Sequence, residues 1–147
     1  MTKQIEVNEK IVEQYNAYYL SQHPRAKKPP IDRPLFPSLN KILSAPNRMF
    51  IANEKKKWGE FARWLVRVYK LDGLMLDEVN LAVFITFKDK TKRDIDNFQA
   101  FFLKVMQDAL VEEKAIVGDD YTHIKSIVSM GEYVKGIERI RLVISWN

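Results

Sequence analysis

Glu78-Val79-Asn80-Leu81-Ala82-Val83-Phe84-Ile85-Thr86-Phe87 alternates as a strand does, with Val79, Leu81, Val83, Ile85 and Phe87 on one side. Ala82 and Phe84 on the other side suggest that this second face is partly covered too. A charged loop, Lys88-Asp89-Lys90-Thr91-Lys92-Arg93, follows. The period then changes to helical: from Asp96 to about Glu113, the residues Phe98, Phe101, Phe102, Val105, Ala109 and Leu110 fall on one stripe. Gly118 breaks the chain before Asp119-Asp120. A strand, a charged loop and a helix opened by Asp94-Ile95-Asp96-Asn97 are thus the centre from which the rest is read.

Downstream, two strands are expected, from about Tyr121 to Met130 and from Ile137 to Trp146, with Gly131 and Gly136 bracketing a hairpin-type connection. Upstream, Asn53 is a good cap for a helix reaching about Tyr69, with Trp58, Phe61, Ala62, Leu65, Val68 and Tyr69 on its apolar stripe. Lys55-Lys56-Lys57, Arg63 and Arg67 lie on its other side, a pattern that either a solvated face or contact with phosphates explains. Phe36-Pro37-Ser38-Leu39-Asn40-Lys41 is expected as a turn or short extended piece, and Ala45-Pro46-Asn47-Arg48 as a break.

Residues 1–34 are expected to stand in front of the main domain. Ile5 to Leu20 can form a helix, and four prolines with Arg25-Ala26-Lys27-Lys28 make a stiff basic tether after it. His23 stands alone on that tether and is expected to be solvated. Helices and strands of this kind bury their apolar faces only on each other. The expected fold is therefore α+β: a single domain over residues 35–147, with a mixed or antiparallel sheet packed against two main helices, plus the N-terminal helical arm at 1–34.

The 147 residues suffice for one domain with a real core. Without cysteine there is no disulfide framework and no thiolate metal site. No apolar run approaches the roughly 18 residues that span a bilayer, so no membrane partner is expected. The N-terminus lacks the apolar core of a secretion signal, which makes a cytoplasmic location the expectation. With 24 basic against 19 acidic residues, the net charge of +5 tilts the protein mildly toward polyanions.

Asp94 and Asp96 stand two apart, so while the segment is extended their carboxylates point the same way and repel unless a cation lies between them. Hard divalent ions such as Mg²⁺ take oxygen ligands of this kind and keep other positions for water and phosphate. A plainer explanation stands beside this one. Asp96 can cap the helix through the amide of Gln99, and Asp119-Asp120 can be a turn. On a helical projection Asn97, Lys104 and Asp108 fall within roughly 40° of one another, bordering the apolar stripe. That row is either the wall of a site or a boundary row with a Lys104–Asp108 ion pair.

Arg93-Asp94-Ile95-Asp96-Asn97, then Asp108-Ala109-Leu110, then Gly118-Asp119-Asp120 with Ile124, in that order, resembles the RusA family of Holliday junction resolvases. Pro37-Ser38-Leu39-Asn40-Lys41 resembles an N-terminal element of the same family, so the likeness covers about Phe36 to Asn147. The resemblance implies a homodimeric endonuclease that cuts four-way DNA junctions by paired nicks and depends on Mg²⁺, with Mn²⁺ able to substitute. It carries the metal ligands onto Asp94, Asp96 and Asp120, with Asp119 beside them.

The family's catalytic lysine would fall at Ala100. Lys104 keeps the spacing to Asp108-Ala109-Leu110 and implies an insertion of about one helical turn. Lys88, Lys90, Lys92 and Arg93 are the expected phosphate contacts; Lys104 or Arg93 is expected to stabilise developing negative charge. The alternative is a protein of the same fold that binds branched DNA without cutting it.

Overall fold

The computed structural model describes residues 1–147. It contains four strands and four helices in the order β1 (Thr2–Val7), α1 (Glu9–Gln22), α2 (Leu39–Leu43), α3 (Arg48–Val68), β2 (Val79–Phe87), α4 (Ile95–Glu112), β3 (Ile124–Tyr133) and β4 (Arg139–Ser145). The strands form one mixed sheet in the order β1-β4-β2-β3. β2 pairs in parallel with β3 and antiparallel with β4, which pairs antiparallel with β1. The α+β class and single domain agree with the sequence reading.

The sheet is covered on one face. Leu81, Val83 and Ile85 of β2 stand beside Ile144, Leu142 and Ile140 of β4, and all six are buried. Against them α3 brings Trp58, Phe61 and Leu65, while α4 brings Phe102, Met106 and Leu110. Phe36 enters between the helices, its ring 4.4 Å from Trp58 and edge-on to Phe102 at 4.9 Å. The opposite face has no helix. There Phe84 is half-buried under the Arg141 guanidinium, 4.9 Å from the ring.

Four expectations change. Residues 1–34 are not an arm in front of the domain. Thr2–Val7 is an edge strand whose Ile5 and Val7 are fully buried, and the helix begins only after Asn8, whose side chain caps it. A strand with only two apolar side chains, at the sheet edge, gives too short an alternation to read. Its chain start is fixed by the N-terminal amine, 2.7 Å from the Trp146 carbonyl.

Secondly, β3 and β4 do not form a hairpin, because β2 lies between them. A strand-helix-strand crossover through α4 favours parallel pairing of β3 on β2. The short 134–138 segment then has only to cross one strand, about 10 Å, to reach the far edge of β2. Thirdly, α3 starts at Arg48 rather than at Asn53, because Asn47 accepts the Phe50 amide at 2.8 Å and is the actual cap. Val68 is exposed, not core. Fourthly, Leu39–Leu43 is a short helix, capped by Ser38 through the Lys41 amide at 3.2 Å.

Candidate metal and nucleic-acid site

The two ends of the sheet carry different parts of the expected site. At the Phe87 end, the chain leaves β2 through the 88–94 loop and enters α4. Asp94 is the N-cap residue by backbone conformation (φ −83°, ψ 127°), yet its carboxylate makes no capping hydrogen bond. The capping side chains of Asn8, Ser38 and Asn47 all do, so α4 alone leaves its cap uncommitted. Asp96 lies in the first turn and is exposed. Gln99 does not close a capping box with it: its amide oxygen bonds the Ser129 hydroxyl. Capping therefore does not account for either carboxylate. Both sit where the positive end of the helix dipole stabilises anions by some 0.3–1 kcal/mol each.

Asn97 has a structural task. Its side-chain oxygen accepts the Asn40 amide at 2.9 Å, tying the first turn of α2 to the first turn of α4. The Pro37–Lys41 and Asp94–Asn97 segments, 57 residues apart at this bond, are thereby brought together. Exposed Lys41 follows Asn40 directly.

Arg93 is occupied within its own loop. It donates to the Asp89 carboxylate at 2.8 Å and to the Thr91 carbonyl at 3.0 Å, and lies 4.9 Å from the Phe87 ring. The Thr91 amide and hydroxyl, then Arg93, hold the Asp89 carboxyl down at about 2. The loop is thus a closed brace that fixes where Asp94 begins. Lys88, Lys90 and Lys92 are exposed on it, with the Lys90 ammonium 5.5 Å from the Tyr133 ring. The Lys88 carbonyl accepts the Gly136 amide at 3.0 Å, which places exposed Lys135 beside the same loop. Nothing in the sequence spacing marks Lys135 as a member of this group; the return of the chain past the end of β2 does.

Asp119 and Asp120 lie at the opposite end, before β3. The Thr122 amide donates to Asp120 Oδ1 at 2.8 Å, and the Thr122 hydroxyl bonds the same oxygen. These bonds, Thr122 hydroxyl first, hold the Asp120 carboxyl below its ordinary value, with His123 adding a smaller pull. His123 was not marked by the sequence pattern. Its Nδ1 lies 2.8 Å from the Asp77 carbonyl and 3.1 Å from the Asp77 carboxylate, and these contacts with the Asp120 charge raise its pKa. Gly118 is required here, since a Cβ would meet the His123 ring at 2.7 Å.

The separation follows from the strands. Ile124 pairs with Val79 and Gly131 with Ile85; a Cβ at Gly131 would touch Ile95. The run from Ile124 to Gly131 spans about 23 Å at some 3.3 Å per residue. Asp94 and Asp96 therefore stand about that far from Asp120. Consistently, no three acidic or histidine side chains in the chain converge as a metal-holding group. The chemistry of Asp94 and Asp96 fits a hard divalent cation that keeps most positions for water and phosphate. One chain supplies two such carboxylates at one end and Asp120 at the other.

Lys104 is elsewhere again. It is paired with Asp108 at 3.2 Å and lies about 12 Å along the axis from Asp96, facing α3. There it lines a groove of about 280 Å³ with Lys55, Lys56 and Arg63. The row of Asn97, Lys104 and Asp108 is accordingly divided between a bond to α2 and the α3–α4 groove. No helix of the chain is long and apolar enough to cross a membrane.

No family model matches the chain, and no curated protein matches it closely.

Proposed function

We propose that this protein is a divalent-metal-dependent endonuclease of branched DNA, cutting four-way junctions as a symmetric homodimer. Each site would take Asp94 and Asp96 from one chain and Asp120 from the other. The observation that carries this reading is the pair of uncommitted carboxylates at the N-terminus of α4, beside the exposed lysines of the 88–94 loop.

Two copies of the chain explain why Asp120 is remote within one. β3 is a free sheet edge that runs from the Asp120 end to the Asp94 end. Two such edges set antiparallel about a two-fold axis bring opposite ends together, and a two-fold dimer repeats every contact twice. That symmetry suits paired nicks on opposite strands of a junction. Exposed Val128 and Met130 on β3 give that edge an apolar surface to cover.

Within each site Asp94 and Asp96 would hold Mg²⁺, or Mn²⁺ in its place, together with Asp120, whose carboxylate Thr122 fixes in orientation. When bound, the ion supplies water activation and charge neutralisation for phosphodiester hydrolysis. Lys88, Lys90 and Lys92 hold phosphates on either side of the scissile bond; such contacts position DNA without reading its sequence. Arg93 acts through the loop it braces.

The test is incubation of a labelled four-way junction and a linear duplex with the protein, with and without Mg²⁺. Symmetric nicks in the junction are expected, with Asp94→Asn, Asp96→Asn or Asp120→Asn lowering the rate about 100-fold or more, the scale set by losing one electrostatic stabiliser of the transition state. Junction binding with no nicking in Mg²⁺ or Mn²⁺ would instead support a non-cleaving branched-DNA binder of the same fold. The remoteness of Asp120 within a single chain favours that second reading if the protein is monomeric.

A further inference from the structure

The nuclease reading leaves α1 and the side of α3 beneath it without a role. Tyr18 and Trp64 stack there with ring centroids 6.4 Å apart and planes at 26°. Tyr18 is 45% exposed, and Trp64 is half-buried. Tyr19 and His23 stack at 3.9 Å just beside them. These rings, with Arg63 and Arg67, line a groove of about 270 Å³.

Arg63 also lines the adjoining α3–α4 groove with Lys55, Lys56 and Lys104, so the two grooves meet at one guanidinium. The acidic side chains along the path are Glu60, Asp108 and Glu112. Arg63 pairs with Glu112 at 3.0 Å, and Arg67 pairs with Glu113. The Glu112 carboxylate is exposed, so exchanging it for a phosphate on Arg63 costs little. Past the rings the chain continues through exposed Arg25, Lys27 and Lys28.

A basic track that ends on partly exposed aromatic rings, Tyr18 foremost, has a defined complement. Phosphates follow the track, and bases whose faces are free stack on the rings. A duplex hides those faces in its own stack. We propose that these two grooves, adjoining at Arg63, together bind a single-stranded polynucleotide, its phosphates along Lys55, Lys56, Lys104 and Arg63 and its unstacked bases on Tyr18 and Trp64. The proposal goes beyond the cleavage reading and needs neither a metal ion nor a cut.

The test is run in chelator, where no cleavage can occur. Labelled oligo(dT), oligo(rU) and a mixed-sequence duplex, each about 12 nucleotides long to suit the usual site size, are titrated with the full chain by fluorescence anisotropy. Both single strands are expected to bind more tightly than the duplex and to quench the part of the tryptophan emission that Trp64→Phe removes. Tyr18→Ala, an exposed position, should weaken single-strand binding roughly fivefold or more and leave duplex binding nearly unchanged. Arg63→Ala should lower the salt slope of single-strand binding by about one.

A preference between oligo(dT) and oligo(rU) tells whether DNA or RNA is the source of the strand. Unchanged single-strand affinity in Tyr18→Ala, or an equal loss of duplex affinity in that variant, would overturn the proposal. Neither result bears on junction nicking in Mg²⁺, which stands or falls by its own assay.

Discussion

Asp89 shows how much of the site depends on single hydrogen bonds. Its carboxyl is held at about 2 against an ordinary 3.8, chiefly by the Thr91 amide and hydroxyl and then by Arg93. A carboxyl whose pKa falls on folding stabilises the fold above its ordinary value and ceases to do so as pH drops through the folded value. Order in the 88–94 loop is therefore expected to persist through pH 3 and to fail toward pH 2. Carboxyl carbon shifts from an NMR titration would follow it. Arg93→Ala should move the Asp89 midpoint only part of the way back, since the Thr91 contacts are the larger cause. A midpoint near 3.8 in the wild type would mean that the loop is not braced as described.

At the scale of elements, the junction between α2 and α4 matters most. A five-residue helix cannot hold itself together in water and needs tertiary support. Asn97 gives it that support through the Asn40 amide. Asn97→Ala is expected to cost about 1 kcal/mol, the net worth of such a bond, and to lower Tm by about 3 °C for a domain of this size. Asn97→Asp keeps the acceptor and should recover most of that loss. Thermal unfolding of the three proteins decides it; equal Tm values would remove Asn97 from this role. Asn97 and Asn40 are thus both legible from the sequence as marked positions, while the bond that joins them across 57 residues is not.

At the scale of the whole molecule, the position of Asp120 turns an assembly into a prediction. Mixed Asp96→Asn and Asp120→Asn chains would each be inactive alone. In a two-fold dimer with shared sites, a mixed dimer contains one site with both substitutions and one with none. Random mixing makes about half of the dimers mixed, so roughly a quarter of the wild-type sites are restored. Junction nicking should return on mixing, with single nicks replacing paired ones. If each site lay within one chain, mixing would restore nothing.

The strand at Val79–Phe87 and the helix at Ile95–Glu112 follow from clean periodicities of two and 3.6, which a buried face imposes locally. The marked aspartates and the basic loop are likewise local facts. The edge strand Thr2–Val7 was hidden, because its two apolar side chains acquire meaning only beside β4.

The sequence by itself determined the α+β class, the central strand-loop-helix and the chemical character of its carboxylates, because each depends on neighbours within a few positions. Only the tertiary structure decided that β2 separates β3 from β4, that Asn97 holds α2, and that Asp94 and Asp96 lie a strand's length from Asp120. Those facts depend on pairing between residues far apart in the chain, and no local pattern encodes which edge of a sheet a strand will take. Under the proposed function the Asp94-Ile95-Asp96-Asn97 tetrad would supply half of a metal site, and the parallel crossover through α4 would leave the other half to a second copy.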